Sequence, residues 1–235
     1  MKNLLVDIGN TNVKYCLADG DSFTELSFEQ AESILFDVEA VAVAAVTESK
    51  EANALLQKVS EQRKKVVYAE VSERSFGIEC GYPKFDNLGI DRWLAVLAAE
   101  QSYPNEDLVI VDAGTAMTID FLTSDKKHLG GWIVPGLDLM KSSIIERAPK
   151  VFGGEKVSQE QFGTDTPSAV FNGCLFTCIG SIQLAASFLT EQTKRPVKLL
   201  LTGGNSSQLS KSIKQQNYVD QFLVFKGLNR FLTDK

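Results

Sequence analysis

Two short stretches 105 residues apart (112 − 7 = 105) each set a carboxylate beside a glycine: Asp7-Ile8-Gly9-Asn10-Thr11 and Asp112-Ala113-Gly114-Thr115-Ala116. Glycine in a strand-to-strand turn lets backbone N–H groups come close to an anion, and neighbouring Asn and Thr side chains add neutral donors, a combination that suits phosphate oxygens. A carboxylate at a strand end, as Asp7 is, can hold magnesium directly or through water while the ion bridges phosphates. Lys14, three residues past Thr11, is placed to neutralise transferring charge. A third cluster, Leu201-Thr202-Gly203-Gly204-Asn205, allows close approach of a flat ring or a phosphate, or is a plain strand-to-helix turn. Other phosphate motifs are excluded by inspection. There is no Gly-x4-Gly-Lys-Ser/Thr, and no two glycines stand two positions apart, as a dinucleotide fingerprint requires.

The remaining reactive residues are sparse. His128 is the only histidine, follows two lysines on a predicted hairpin, and reads as exposed and inert, so no histidine-dependent triad or zinc site can be assembled. Cys16, Cys80, Cys174 and Cys178 lack paired spacing and read as reduced thiols packed in a core. Asp91 opens a predicted helix, where Asp is a common N-cap, and Thr166 before Pro167 forms a cap and first-turn pair.

The elements that must position these residues follow from periodicity and turn signals. Strands are predicted over Leu4 to Ile8, Val13 to Leu17 and Phe23 to Phe28, then a helix near Glu29 to Phe36, a strand Ala40 to Val46, a helix Lys50 to Lys64 and a strand Val66 to Ala69. Ser72 to Asn87 reads as a long loop. A helix over Asp91 to Gln101 leads to strands Leu108 to Val111, Met117 to Leu122 and His128 to Val134. Helices follow at Leu137 to Arg147 and Thr166 to Thr193, then a strand Val197 to Leu201, a helix near Ser207 to Gln216 and a terminal helix. The second half repeats the plan of the first, so the chain is read as two α/β lobes, 1–106 and 107–235, facing each other across a cleft.

Composition agrees with a folded enzyme-sized protein. Of 235 residues 44% are hydrophobic, which sets disorder aside, and a net charge of −6 disfavours nucleic acid or anionic membrane as partners. The amino terminus meets Asp7 after three apolar residues, which predicts no export signal and a cytoplasmic location. The longest uninterrupted apolar run, Ala40 to Val46, falls short of the ~20 residues of a membrane helix.

Five ordered motifs together resemble the type III pantothenate kinase family: Asp7 to Lys14, Tyr82 with Leu88-Gly89-Ile90-Asp91-Arg92, Asp112 to Ala116, Gly130-Gly131-Trp132-Ile133-Val134-Pro135-Gly136, and Thr202-Gly203-Gly204. The resemblance covers most of the chain. It implies two ribonuclease H-like lobes of the acetate and sugar kinase, Hsp70 and actin superfamily, with ATP in the interlobe cleft. It also implies phosphorylation of pantothenate, the first step toward coenzyme A. Carried over, Asp7, Ile8, Gly9, Asn10, Thr11, Asn12, Val13 and Lys14 bind the ATP phosphates and magnesium, and Thr115 touches the phosphates from the other lobe. Asp112 matches the ligand of a monovalent cation, potassium or ammonium. Tyr82, Gly89, Ile90, Asp91, Arg92 and Thr166 match positions that contact pantothenate, with Asp91 the general base.

A guanidinium fits a carboxylate bidentately, so Arg92 suits the pantothenate carboxylate, its other reading being a surface ion pair. Tyr82 is a substrate wall or a packed loop aromatic. A homodimer is implied, with the pocket near the subunit interface. Two departures are visible: the chain is compact for the family, and Ala148-Pro149 stands where a Leu-Pro pair is expected. Rival readings are another small-metabolite kinase or phosphatase of the superfamily and a non-catalytic accessory transcription regulator of the same fold.

Overall fold

β1 (Lys2–Ile8), β2 (Val13–Asp19) and β3 (Ser22–Leu26) run as a meander, α1 (Phe28–Ser33) leads to β4 (Ala40–Ala45), and α2 (Lys50–Glu61) to β5 (Lys65–Tyr68). β6 (Arg74–Ser75), β7 (Ile78–Glu79), a 3₁₀ turn at Phe85–Asn87 and α3 (Ile90–Ser102) follow. The second run comprises β8 (Asp107–Ala113), β9 (Ala116–Leu122), β10 (His128–Pro135), α4 (Leu137–Arg147), α5 (Thr166–Thr193), β11 (Val197–Thr202), α6 (Ser206–Ser212) and β12 (Asn217–Val219), and α7 (Leu223–Thr233) comes last. These elements belong to a computed structural model that describes residues 2–148, 150–153 and 161–234, so Pro149 of the Ala148-Pro149 departure lies outside the described residues.

The duplication is explicit in the topology. One five-stranded sheet has the order β3-β2-β1-β4-β5 and the other β10-β9-β8-β11-β12, the same path traced twice. In the first, β1 pairs antiparallel with β2 and parallel with β4; in the second, β8 pairs antiparallel with β9 and parallel with β11. Asp7 and Asp112 occupy matching places near the carboxyl ends of the central strands, opposite Ala44 and Thr202 on their parallel neighbours.

Residue contacts divide the chain into two units: Met1–Asn105, Asp125–Leu129 and Phe222–Lys235 form the first, Glu106–Ser124 and Gly130–Gln221 the second. The terminal helix, read from sequence as part of the second lobe, belongs to the first unit, and so does the tip between β9 and β10. Backbone proximity explains the helix: a Cβ at Gly227 of α7 would come within 2.0 Å of the Leu94 carbonyl oxygen on α3, so only glycine lets the two helices meet there.

Strand alternation sorts the faces of the first sheet. Leu4, Val6 and Ile8 join Val41, Val43 and residues of α1 and α2 in one core cluster. Asn3, Leu5 and Asp7 point the other way, and Asn3 Nδ2 donates to Asn229 Oδ1 of α7 at 3.0 Å, which identifies that face as the one α7 covers. In the second unit Val109, Val111, Ala113, Leu199 and Leu201 pack against α5 through Cys174, Leu175, Cys178, Ile182 and Leu189. By length and composition α5 could cross a membrane, yet those core residues make it the central helix of its unit. The short uninterrupted apolar runs of the sequence hid that property.

Two segments differ from the pattern. Ser72 to Asn87 is not a plain loop, since β6 and β7 pair as a hairpin through Phe76 (φ 50°) and Gly77 (φ 82°), a two-residue turn with both φ positive. Phenylalanine is unusual there, and its ring is held under the Arg230 guanidinium at 4.3 Å and against Phe231 at 5.4 Å. The helix expected to reach Gln216 stops at Ser212, because Asn217–Val219 pairs in parallel with β11 as a strand.

Candidate active site

In the first unit the predicted phosphate turn is the β1–β2 connection. Ile8 faces Val13 across the ladder, and Gly9 N–H donates to Asn12 O at 3.1 Å, which closes the turn and leaves Asn10, Thr11 and Asn12 exposed at its tip. Gly9 thus uses its own N–H internally, so an anion would meet the donors of the tip. Asp7 lies directly opposite Lys14, which puts a carboxylate and an exposed ammonium on one face of the sheet beside that turn.

A cleft of about 520 Å³ opens where the parallel strands end, the usual place for ligands in such sheets. Ala45 and Val46 after β4, Ala69, Glu70 and Val71 after β5, and Phe85 to Ile90 line it. Gly89 and Ile90 were expected from sequence; the strand-end residues were not, because nothing in their types sets them apart. Val46 N–H donates to Ile8 O at 3.0 Å, tying the cleft wall to the strand that carries Asp7.

Asp91 stands at the second position of α3 and is not its cap, a place taken by Gly89, which offers no side-chain cap. The Asp91 carboxylate bends back: Oδ1 accepts the Arg92 N–H at 2.8 Å, while Oδ2 has no hydrogen-bond partner among the described residues. Glycine before it leaves room for this rotamer, since a Cβ at Gly89 would lie 2.5 Å from Asp91 Oδ1 and turn the carboxylate away. One oxygen is fixed and the other left open, a geometry suited to accepting a hydrogen bond from a hydroxyl.

Arg92 is no surface residue, being 5% exposed. Its Nη1 donates to Tyr82 Oη at 2.9 Å and its Cζ stands 5.6 Å from the centre of the Tyr82 ring. Tyr82 also stacks on His128, with centroids 6.2 Å apart and planes 11° from parallel. The expectation of an exposed histidine is therefore wrong: His128 is 2% exposed, because the hairpin tip that carries it packs within the first unit.

The second unit carries the other half of the predicted residues. Asp112 is the penultimate residue of β8, and Gly114 with exposed Thr115 forms the following turn. Gly136 N–H donates to Thr115 O at 2.9 Å, and a Cβ on Gly136 would sit 2.2 Å from Gly114 O, so the start of α4 is pressed directly onto the turn. Gly203 (φ 86°) approaches from the end of β11, where a Cβ would lie 2.3 Å from Asp112 Oδ1, and Asn205 N–H donates to Ala113 O at 3.0 Å. The close approach for which Gly203 is needed is thus to the chain's own Asp112.

Asn205 Nδ2 also donates to Asp138 Oδ2 at 3.0 Å, and this bond, followed by Lys141, holds the Asp138 carboxyl below its ordinary range. Asp138 went unnoticed in the sequence, and Asn205 was noted only as the end of the Thr202-Gly203-Gly204 cluster, because the two meet only through the fold. Thr166 is the first residue of α5 and its cap is Asp165, whose Oδ1 accepts the Ser168 N–H at 2.8 Å. It belongs to the second unit, whereas Tyr82, Asp91 and Arg92 belong to the first.

Among the described residues no three His, Cys, Asp or Glu side chains gather as a metal cage. Asp7 and Asp112 are each a single hard oxygen donor group beside a glycine turn, which fits cations that keep water and substrate oxygens as their other ligands.

Residues 3–187 match the type III pantothenate kinase family. A type III pantothenate kinase of Pseudoalteromonas translucida is 37% identical over 227 residues, covering 96% of this chain and 94% of that protein. One of Acinetobacter baumannii is 32% identical over 251 residues, covering 99% and 98%. Among solved structures, a conserved Campylobacter jejuni protein assigned to the Baf family of transcriptional activators superposes with a TM-score of 0.64 at 26% identity, covering 98% of each chain. A ROK family protein from Streptococcus pneumoniae gives 0.53 at 13% identity, with 100% and 99% covered, a likeness of fold.

Proposed function

The chain belongs to the type III pantothenate kinase family, and from that membership we propose how its residues divide the transfer of a phosphoryl group from ATP to pantothenate. The activity is the first step of coenzyme A biosynthesis. The observation that carries the division is the Asp91 carboxylate, with one oxygen pinned by Arg92 N–H and the other open.

Phosphoryl transfer depends on positioning and charge stabilisation more than on covalent help. Asn10, Thr11 and Asn12 at the first turn and Thr115 at the second hold the ATP phosphates, with Lys14 beside the transferring charge. Arg92, oriented by Tyr82, grips the pantothenate carboxylate, and Gly89 and Ile90 form the wall of the cleft. Asp91 Oδ2 takes a hydrogen bond from the primary hydroxyl, aims it at the γ-phosphate and receives its proton late in the transfer. Asp7 would hold magnesium and Asp112 a monovalent cation, potassium or ammonium; such ions supply positive charge against the phosphate oxygens. The regulatory reading, to which the name of the Campylobacter relative corresponds, does not account for an open carboxylate beside a buried guanidinium.

A homodimer is supported by α5, whose outward side carries Phe176, Leu184 and Phe188, with Gly180 open between them and Gly173 open one turn before. Phe176, Leu184 and Phe188 recur at helical spacing, and an exposed apolar stripe of that kind marks an interface. Free thiols throughout are in keeping with a reducing, cytoplasmic setting.

Purified protein given ATP, magnesium and potassium is expected to release ADP only when pantothenate is added, with phosphopantothenate identified by mass. ADP release with a sugar or acyl acceptor and none with pantothenate would overturn the substrate assignment.

A further inference from the structure

The buried histidine has no place in the division of labour above, yet it closes a ring of four side chains. Arg92 and Trp93 are neighbours on α3; Arg92 Nη1 donates to Tyr82 Oη at 2.9 Å; Tyr82 stacks on His128; and His128 meets the Trp93 ring edgewise, 6.0 Å between centroids at 61°. His128 Nδ1 also accepts from Gly81 N–H at 3.5 Å, a long contact to the residue just before Tyr82.

Both anchors of the ring are firm. Trp93 is fully buried and its Nε1 donates to Ser75 Oγ at 3.4 Å. The tip carrying His128 is fastened by the Lys126 ammonium on the Glu100 carboxylate at 2.7 Å and by Glu79 N–H donating to Lys126 O at 2.9 Å. Tyr82, by contrast, sits in a segment of irregular backbone, partly exposed. A phenol on such a segment has several rotamers, and in the one pressed against His128 its oxygen accepts from Arg92. The Tyr82 oxygen is thus one of the groups that set the direction of the buried Arg92 guanidinium.

We propose that His128 is a positioning residue for pantothenate: as a flat ring wedged between Trp93 and Tyr82, it holds the phenol where Arg92 must bind it, and so keeps the guanidinium aimed at the substrate carboxylate. The inference rests on the reading of Tyr82 and Arg92 as pantothenate contacts. It assigns His128 no contact with substrate and no proton to move. What the position requires is a planar ring.

Steady-state kinetics of the full chain with pantothenate and ATP varied separately test it. Loss of one aromatic stack corresponds to about a tenfold change in binding. His128→Ala and His128→Gln are expected to raise KM for pantothenate by about that factor, leaving kcat and KM for ATP within about twofold, while His128→Phe restores KM. In a double-mutant cycle, His128→Ala added to Tyr82→Ala is expected to raise KM no further. An unchanged pantothenate KM in the alanine and glutamine variants, while Tyr82→Ala raises it, would overturn the proposal and leave the substrate site standing. Additive effects in the cycle, or equal losses on both substrates, would also overturn it. If Tyr82→Ala itself leaves KM unchanged, the reading beneath falls and the proposal with it. Should the alanine variant fail to fold, the contrast of glutamine with phenylalanine decides alone.

Discussion

Asp107, at the start of β8, has a side chain wholly shielded from solvent. Its oxygens accept from Arg195 Nε at 2.8 Å, from Arg195 Nη2 at 2.9 Å and from Ser124 N–H at 2.7 Å. Burial raises the carboxyl's pKa, but these hydrogen bonds outweigh it and the group titrates below its ordinary value. A depressed folded value means that its stabilisation is complete above the unfolded value of ~3.9 and is lost as pH falls through the folded one. Asp107→Asn is expected to lower stability by roughly 2–3 kcal/mol at neutral pH, the scale of charged hydrogen bonds, and to flatten the acid limb of the urea midpoint against pH. An unaltered acid limb would contradict this. Single residues were legible in the sequence where glycine marks a turn, as at Gly9 between β1 and β2 and Gly114 between β8 and β9. They were not when neighbours decide: His128 was read as exposed because hairpin tips usually are, and nothing local shows that this one packs under Tyr82.

At the scale of elements, the legible ones carried their own boundary chemistry. α5 was read from Thr166 to Thr193 and spans those residues, with Asp165 capping its start and Lys194 in the left-handed region at its end. β6, β7 and β12 were missed because two- and three-residue strands have no period to detect, and Phe76 hides a turn that usually shows Asn or Gly. The turn at Gly114 and Thr115 is shaped by an element remote in sequence, the start of α4 at Gly136. Gly136→Ala would push that turn aside. It is expected to weaken ATP binding at least tenfold while pantothenate affinity of the first unit's cleft stays within about twofold, read by titration calorimetry for each ligand. Equal weakening of both would contradict an effect confined to the Thr115 turn.

For the whole molecule, the duplication was visible because the same acid-glycine turn recurs at the same point of two copies, and the two identical sheet orders are its structural form. The membership of α7 in the first unit was invisible, since it depends on contacts remote in sequence, such as Gly227 meeting a carbonyl 133 positions earlier in the chain (227 − 94 = 133). The apolar side of α5 bears on assembly: Leu184 and Phe188, about half exposed, are expected to lie between two copies. Leu184→Glu should convert a dimer to a species of 25.8 kDa in sedimentation, whereas a dimer that survives the charge would place the interface elsewhere. The central claim, that the open oxygen of Asp91 serves the pantothenate hydroxyl, is tested most directly by Asp91→Asn, with kcat and ATP affinity measured on the same preparation. A fall in kcat of about a hundredfold with ATP affinity unchanged is the result expected of a well-placed base; a kcat within a few fold of the parent protein would contradict the assignment.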